Sequence, residues 1–174
     1  MKLKQLESML SEVNPVFDNP KVNLEQVSTA PHIAARMIFT AATTYEDIES
    51  CHVGDFGVGP GVLSLGAQAM GAAYVCGFDC DQEALDLASI NFASLDVHGI
   101  DLVQVDVQSL SLTSDFDTVL MNPPFGTRNS GVDTAFVHKA MKHANAVYSL
   151  HKTSTRDHFV RLAGTPTLSE RSFT

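Results

Sequence analysis

Strand-like and helix-like segments alternate along this chain from Val53 to His151. Short apolar runs predict five strands, at Val53–Phe56, Ala73–Asp79, Leu102–Asp106, Thr118–Asn122 and Ala146–His151. Apolar residues at helical spacing predict helices over Leu63–Met70, from Asp81 onward and over Asp133–His143. Strands that alternate with helices pair in parallel through right-handed crossovers. The sequence therefore predicts an α/β fold, a doubly wound Rossmann-like domain with a mostly parallel sheet.

Two helices are predicted ahead of the first strand. Apolar residues recur at helical spacing between Leu3 and Val13. A second helix begins near Pro31, because proline is favoured in the first helical turn and Ser28 or Thr29 precedes it as a possible cap. With 174 residues in all, the chain has the length of a single domain.

Charge and cysteine content exclude several classes of protein. The chain has 11 Lys and Arg residues against 20 Asp and Glu residues, a formal net charge of −9. Nucleic acids bind to basic surfaces, so we expect that this chain does not wrap nucleic acid by itself. Three cysteines without zinc-ligand spacing and seven histidines without H-E-x-x-H order predict no metal site. They also favour a reduced, intracellular compartment.

No signal peptide and no membrane span are expected. The first ten residues include Lys2, Lys4 and Glu7 and lack a continuous apolar stretch. Val58–Phe78 runs for 21 residues without a charge, which is the length of a span, but it contains five glycines and Pro60. We interpret it as a buried strand–loop–helix–strand passage.

A glycine-rich turn follows the first predicted strand. Gly57, Gly59 and Gly61 have G-x-G-x-G spacing, which differs from the G-x-G-x-x-G of pyrophosphate-binding folds. Glycines allow a tight turn and the close approach of a ligand. The spacing favours a nucleoside without phosphates, with S-adenosylmethionine as the natural candidate. An ordinary strand-to-helix turn is the alternative.

Acidic residues end the next two predicted strands, where ligands of such sheets bind. Asp79 lies 22 residues beyond Gly57, near the usual offset of a carboxylate that binds ribose hydroxyls. Asp106 is placed to accept from an adenine amino group, and Val107 to pack on the ring. Helix capping and solvent exposure are the alternative roles of the two aspartates.

The sequence Asn122-Pro123-Pro124-Phe125 follows the fourth predicted strand. Two prolines stiffen the loop and remove backbone donors. The Asn122 side-chain oxygen and the Pro123 carbonyl can then accept from one planar amino group and hold its lone pair toward a methyl donor. Phe125 offers a face on which a flipped base stacks. This arrangement predicts methyl transfer to an amine by positioning and electrostatics, without a strong base.

These residues resemble class I methyltransferases that modify exocyclic amines. The chain is more closely similar to the methyltransferase-like protein 5 family, which methylates N6 of one adenosine in small-subunit (18S) ribosomal RNA. The similarity runs from Leu3 to Arg161 and is most specific at Leu24–Gln26, Pro31–Met37, Gly77–Asp79, Asn122–Thr127 and Val147–Lys152, followed by Ser154–Arg156 and His158.

The resemblance implies a set of site residues. Cofactor-binding residues are Gln26, Thr29, Gly57, Pro60, Val62, Asp79, Asp106 and Val107, and Gly59 of the glycine turn completes the set. The catalytic target-adenine site consists of Asn122, Pro123, Pro124 and Phe125. The resemblance also implies the cofactor S-adenosylmethionine and a partner, while the sequence has no clear basic import cluster and leaves the localisation open between nucleus and cytoplasm. That partner is a small zinc-containing activator subunit that forms a heterodimer along the third-strand edge of the sheet.

Three departures from the family pattern stand out. Val58 and Pro60 replace the usual cysteines, and Pro60 lacks a backbone N–H. Val27 and Ser28 replace an aromatic–proline pair in the loop expected to cover the cofactor. The family fold also continues with the end of a helix and a final two-stranded hairpin, which together take roughly 35–45 residues.

The domain organisation follows from this comparison. We predict a methyltransferase domain over 1–163, with helices and a covering loop in 1–50 and the α/β core in 51–163, and an irregular polar tail over 164–174. The tail shows no strand alternation, so the last hairpin is expected to be missing, as in a shortened product. The fifth strand should then be an exposed apolar edge.

Two other functions stay open at this point. Protein glutamine methyltransferases also use an Asn-Pro-Pro-aromatic loop, because an amide and a base amine are both planar NH2 groups. A catalytically inactive form that only binds the activator subunit is the third possibility.

Overall fold

The computed structural model describes residues 1–17, 19–126 and 131–164. Its helices are α1 (Leu3–Leu10), α2 (Pro31–Thr44), α3 (Val62–Ala69), α4 (Gln82–Ser94), α5 (Val132–His143) and α6 (Arg156–Ala163). Its strands are β1 (His52–Phe56), β2 (Tyr74–Asp79), β3 (Ile100–Gln104), β4 (Phe116–Met121) and β5 (Ala144–Ser149). Single turns of 3-10 helix occur at Val22–Leu24, Val107–Ser109 and Thr153–Thr155.

The five strands form one parallel sheet in the order β3-β2-β1-β4-β5. Val53 of β1 lies beside Val75 of β2 on one side and Thr118 of β4 on the other. The winding therefore reverses between β1 and β4, and ligands of such sheets bind at the carboxyl ends of the strands there. The predicted fold class is confirmed.

Two strands are displaced by two residues from their predicted positions. β3 ends at Gln104, because the Asp106 carboxylate accepts a hydrogen bond from the backbone N–H of Gln108 and starts a 3-10 turn instead of extending the strand. β5 starts at Ala144, directly after α5, with no loop between them. Local capping and a direct helix-to-strand junction thus set these boundaries.

Apolar layers cover both faces of the sheet. Helices α1 to α4 pack on one face, and the largest fully buried side chains there include Leu6, Met37 and Ile38. The 3-10 turn after β3, α5 and α6 cover the other face. There Phe56, Phe78 and Phe116 meet edge to face with ring centroids 5.5–6.5 Å apart.

β5 is the outer strand of the described sheet, as predicted for the fifth strand, but its side chains are largely half-buried. Val147 packs against the aromatic layer, and the Tyr148 hydroxyl donates to Asp47. The Asp47 carbonyl in turn accepts from the Thr118 hydroxyl at 2.6 Å. Of the predicted polar tail 164–174, residues 165–174 lie outside the described residues. The predicted domain boundary therefore stays a prediction.

The described ranges contain no helix that is both long and apolar enough to cross a membrane. In the same ranges, no group of three or more His, Cys, Asp or Glu side chains is arranged to hold a metal ion.

Candidate functional site

A cleft opens at the carboxyl ends of β1, β2 and β4, beside the point where the winding reverses. Its lining comes from six segments of the chain and from α5. The described lining residues are Phe17, Asn23, Leu24, Glu25, Gln26, Val27, Gly57, Gly59, Pro60, Asp79, Cys80, Asp106, Val107, Gln108, Asn122, Pro124, Val132 and Phe136. Both ends of the predicted site, the glycine turn and the Asn122 loop, therefore face one cleft.

The glycine turn folds back over the end of β2. The backbone N–H groups of Gly57 and Val58 both donate to the Phe78 carbonyl, at 2.8 and 2.9 Å. Gly59 donates its N–H to Asp79 Oδ2 at 3.1 Å. Gly57 and Gly59 adopt φ of +80° and +51°, a region that glycine enters without a Cβ penalty. The turn thereby brings the Asp79 carboxylate to the floor of the cleft.

Asp79 has the geometry of a diol-binding carboxylate. Its Oδ1 accepts from the backbone N–H of Asp81 at 3.0 Å, and its Oδ2 from Gly59, so each oxygen keeps a further lone pair. Burial raises the pKa of Asp79, and the backbone donors act in the opposite direction. The residue that caps α4 is Asp81, whose side chain accepts a hydrogen bond from the backbone N–H of Glu83. Asp79 is thus available to a ligand.

The charge of the cleft selects among nucleoside ligands. Glu25, Asp79 and Asp106 contribute carboxylates, and the described lining residues include no Lys, Arg or His. Such a lining repels phosphates and attracts a cation. The donor and acceptor set therefore fits a phosphate-free nucleoside that carries a positive charge.

Residues 21–29, here called the strap, supply residues 23–27 to the lining of the cleft. The Lys21 ammonium pairs with Asp81 Oδ1, and Gln26 Nε2 donates to Asp81 Oδ2 at 2.6 Å. Gln26 Oε1 accepts from the backbone N–H of Lys21 at 2.7 Å. The Gln26 side chain therefore anchors the strap to the start of α4 while it also lines the cleft.

The predicted catalytic loop begins where β4 ends. The Asn122 side-chain amide donates through Nδ2 to Thr29 Oγ1 at 3.0 Å. Pro123 is buried, and Lys152 Nζ lies 5.1 Å from the centroid of the Phe125 ring. Asn122 and Pro124 line the cleft directly, whereas Pro123 and Phe125 do not.

The structure brings most of the predicted cofactor-binding residues together. Those that line the cleft are Gln26, Gly57, Gly59, Pro60, Asp79, Asp106 and Val107. Thr29 and Val62 are not among the lining residues. Val62 is the first residue of α3 and is 4 % exposed in the core, and Thr29 contacts Asn122. The Pro60 carbonyl accepts from Asn91 Nδ2 at 2.9 Å, so this residue fixes the turn through its oxygen.

Several lining residues were missed by the sequence analysis. Cys80 and Gln108 directly follow predicted residues, so adjacency to a strand end was a usable signal. Phe17 comes from the loop after α1 and Phe136 from α5, and they reach the cleft only through tertiary packing. No local sequence pattern predicts that such residues line the cleft.

A buried acid lies directly under the glycine turn. Asp55 is fully buried, and its Oδ2 accepts from the backbone N–H and the hydroxyl of Ser64 at 3.0 and 2.7 Å. Its Oδ1 has no hydrogen-bond partner among the described residues. Burial raises the pKa of Asp55 to about 7, against the lowering effect of the Ser64 bonds. Asp55 thus ties β1 to α3 beneath the cleft.

Comparison with known proteins agrees with this geometry. The model of the methyltransferase small domain family matches residues 33–151. The chain is 50 % identical over 167 residues to rRNA N(6)-adenosine-methyltransferase METTL5 of Danio rerio, covering 94 % of this chain and 80 % of the relative. It is 45 % identical over 168 residues to the Drosophila melanogaster protein of the same name, covering 94 % and 78 %.

A solved structure shows the same fold. The crystal structure of a Pyrococcus horikoshii protein, proposed to be an RNA methyltransferase, superposes with a TM-score of 0.84 at 35 % identity. The match covers 93 % of this chain and 78 % of that one. On the family model, the two relatives and this fold, the chain belongs to the METTL5 family of methyltransferases.

Proposed function

We propose that this chain transfers a methyl group from S-adenosylmethionine to N6 of an adenosine in small-subunit (18S) ribosomal RNA. One observation carries the proposal: the Asn122 loop opens onto a carboxylate-lined cleft suited to a cationic nucleoside. The names of the Danio rerio and Drosophila melanogaster relatives support the adenosine N6 target. The proposed site of action is the nucleus or the cytoplasm.

The cofactor would lie along the acidic floor of the cleft. S-adenosylmethionine, when bound, supplies a methyl group on a sulfonium cation. Asp79 accepts from the ribose hydroxyls, and Asp106 and Val107 contact the adenine. Gly57 and Gly59 leave the space that a side chain would fill.

The target amine would be held by the Asn122 loop. Because Nδ2 of Asn122 donates to Thr29, Oδ1 lies at the other end of the amide, where it can accept from the amine. The Pro123 carbonyl is the second acceptor. Together they orient the nitrogen lone pair, and the cation that forms loses its proton to water without a dedicated base.

A stacking platform lies beside this loop. Lys152 Nζ approaches one face of Phe125, and the target base would stack on the other face. His151 stacks on Phe159 of α6 at 3.5 Å between ring centroids and contacts the Ser149 hydroxyl at 2.6 Å. Burial lowers the pKa of His151 to about 4, so its imidazole ring is neutral near pH 7. The positive charge next to the proposed base site therefore comes from Lys152.

The distribution of charge supports an RNA substrate despite the acidic total. Seven of the 11 Lys and Arg residues lie at or after position 128, with only three of the 20 Asp and Glu residues. Lys152, Arg156 and Arg161 belong to this part and follow β5. Phosphates bind to such basic segments. The described lining of the cleft, by contrast, contains the carboxylates of Glu25, Asp79 and Asp106.

The proposed zinc-containing activator subunit would pair with β3, the other outer strand of the described sheet. An outer strand offers unpaired backbone groups to a partner strand. A groove beside it is lined by Tyr74, Cys76, Phe78, Val103, Leu110 and Leu112, among others. Val103 is 40 % exposed there, so an apolar partner side chain can cover it.

Replacement of Val103 by aspartate is expected to weaken binding of the activator subunit by at least about tenfold, because it places a charge in the centre of the apolar contact. Titration calorimetry with the purified activator measures the change. Ile90→Asp is the matched control, since Ile90 is 64 % exposed on α4, outside the groove. Equal affinity of V103D and wild type for the activator would show that the interface does not include this part of β3.

Replacement of Asp79 by alanine is expected to weaken S-adenosylmethionine binding about 10- to 100-fold, because the two proposed hydrogen bonds from the ribose hydroxyls to this half-buried carboxylate are lost. Calorimetry measures the dissociation constant, and the melting temperature without ligand reports the effect on the turn itself. Asp86→Ala removes an exposed carboxylate from α4 and should bind the cofactor normally. Unchanged affinity in D79A would place the ribose elsewhere.

The proposed function is tested with labelled S-adenosylmethionine, the chain with its activator, and deproteinised small-subunit rRNA. Nucleoside mass spectrometry should detect N6-methyladenosine at one position. Label in protein glutamine instead of RNA would favour the amide-methylating alternative. Activator binding without cofactor binding would favour an inactive, partner-binding form.

A further inference from the structure

The side chain of Asn91 joins α4 to the glycine turn and to the segment that follows α1. Its Nδ2 donates to the Pro60 carbonyl at 2.9 Å and to the Asn14 carbonyl at 3.0 Å, and its Oδ1 accepts from the Asn14 backbone N–H at 3.0 Å. These partners fix the direction of the amide, because a carbonyl can only accept and a backbone N–H can only donate. With the side chain 2 % exposed, the amide is a buried link between two loops.

The segment that Asn91 holds carries one wall of the cleft. Asn14 Oδ1 accepts from the backbone N–H of Val16 at 3.0 Å, which makes a tight turn of this segment. Phe17 follows the turn and lines the cleft. A Cβ on Gly59 would lie 3.8 Å from Phe17 Cζ, an ordinary contact distance, so the ring stands over the space that this glycine leaves open.

The glycine turn is the other wall that this amide fixes. Gly59 and Pro60 both line the cleft, and Gly59 donates its N–H to the Asp79 carboxylate. Pro60 has no N–H, so its carbonyl is the only backbone group through which it can form a hydrogen bond. Asn91 donates to that carbonyl. One buried amide therefore fixes the spacing between the segment that carries Phe17 and the glycine turn.

We infer that Asn91 is a positioning residue of the cofactor site, which holds Phe17 over the glycine turn and so shields the Asp79 carboxylate from water. The inference rests on the proposed function, in which Asp79 binds the ribose hydroxyls of S-adenosylmethionine. Hydrogen bonds to a carboxylate are stronger where water is excluded. Once the segment is released, water competes for Asp79, so we expect weaker cofactor binding and an unchanged rate of transfer when the cofactor is bound.

A role of Asn91 in stability alone makes a different prediction. Loss of its hydrogen bonds would then lower the free energy of unfolding, while the folded variant would bind the cofactor normally. Ile48→Ala is the matched control for such a loss, since Ile48 is fully buried and precedes β1, whose other end lies at the cleft. I48A should lower the melting temperature and leave the dissociation constant of the cofactor unchanged.

The test compares Asn91→Asp with wild type in the chain with its activator. Aspartate has nearly the same volume and keeps an acceptor for the Asn14 N–H, but it has no NH2 group for the two carbonyls. In N91D we expect the dissociation constant of S-adenosylmethionine to rise about tenfold or more, with kcat at saturating cofactor unchanged. An unchanged dissociation constant would overturn the inference, whatever the melting temperature.

Phe17→Ala gives an independent arm of the test. Phe17 is only half-buried, so we expect F17A to fold, and it should weaken cofactor binding about three- to tenfold. In the F17A background N91D should cause less than its full loss, because the ring that it positions is absent. Fully additive losses overturn the inference, as does normal binding by F17A. If N91D does not fold by circular dichroism, Asn91→Ala removes the amide without burying a charge.

A readout that needs no cofactor follows the segment itself. The Asn14 backbone N–H should lose its protection from hydrogen exchange in N91A, which lacks the acceptor, and keep it in I48A. Unchanged protection in N91A would overturn the inference. If wild type binds no S-adenosylmethionine, the proposed function fails, while the exchange rates still decide whether Asn91 holds the segment that carries Phe17.

Discussion

Replacement of Asn122 by alanine is expected to lower methyl transfer to RNA by about 100-fold or more, the loss seen when one donor or acceptor that orients a transition state is removed. The side chain stands at the end of β4, and its oxygen is one of only two proposed acceptors for the amine. Single-turnover transfer of labelled methyl measures the effect. Cofactor affinity should be unchanged, because the proposed cofactor contacts are made by Asp79 and by the turns that follow β1 and β3, not by Asn122.

Two controls make this result specific. Asn145→Ala removes an exposed asparagine of β5 and should leave transfer unchanged. A thermal shift with excess cofactor shows that the pocket is intact, since ligand at 100 times its dissociation constant stabilises by about 2.7 kcal/mol. N122A with wild-type transfer would contradict the assignment of Asn122 as the amine acceptor.

Replacement of Gly61 by alanine is expected to destabilise the fold by about 3 kcal/mol or more, through backbone strain and a steric clash. Gly61 has φ of +88° at the start of α3, and a Cβ there would lie 2.4 Å from Phe92 Cε1. Phe92 is buried in α4, so its ring has little room to move. We expect the melting temperature to fall by roughly 10 °C for a domain of this size.

The chain offers a matched control for this glycine. Gly99 has φ of +81°, and a Cβ there would meet nothing within 4 Å. Gly99→Ala therefore carries the backbone strain without the clash, and its melting temperature should fall by much less. Equal melting temperatures for the two variants would show that α3 and α4 separate easily at this contact.

The fold and both ends of the candidate site could be predicted from the sequence because the patterns that indicate them are local. A glycine turn after β1, Asp79 at the end of β2 and Asn122 at the end of β4 are each marked by a strand that stops at a polar residue or glycine. Parallel strands place such ends at one edge of a sheet, so linear order was enough to predict a common cleft.

The rest depended on contacts between distant segments. Gln26 and Asp81 are 55 positions apart, and nothing in either neighbourhood indicates that the amide anchors the strap to α4. The same holds for Thr29 and Asn122. The end of β3 differs from its predicted position for a different reason, because the cap formed by Asp106 starts a 3-10 turn and prevents extension of the strand. Hydrophobic periodicity therefore predicts neither long-range polar pairs nor caps.

Charges of opposite sign lie close together at the cleft. Lys152 lies against the Phe125 ring of the Asn122 loop, and the carboxylates of Glu25, Asp79 and Asp106 line the cleft. Fields of this kind act over about one Debye length, ~8 Å at physiological salt. A phosphate polymer that approaches would be turned toward the catalytic loop before any contact forms. Salt would then slow the encounter with the proposed RNA while leaving the chemical step unaffected.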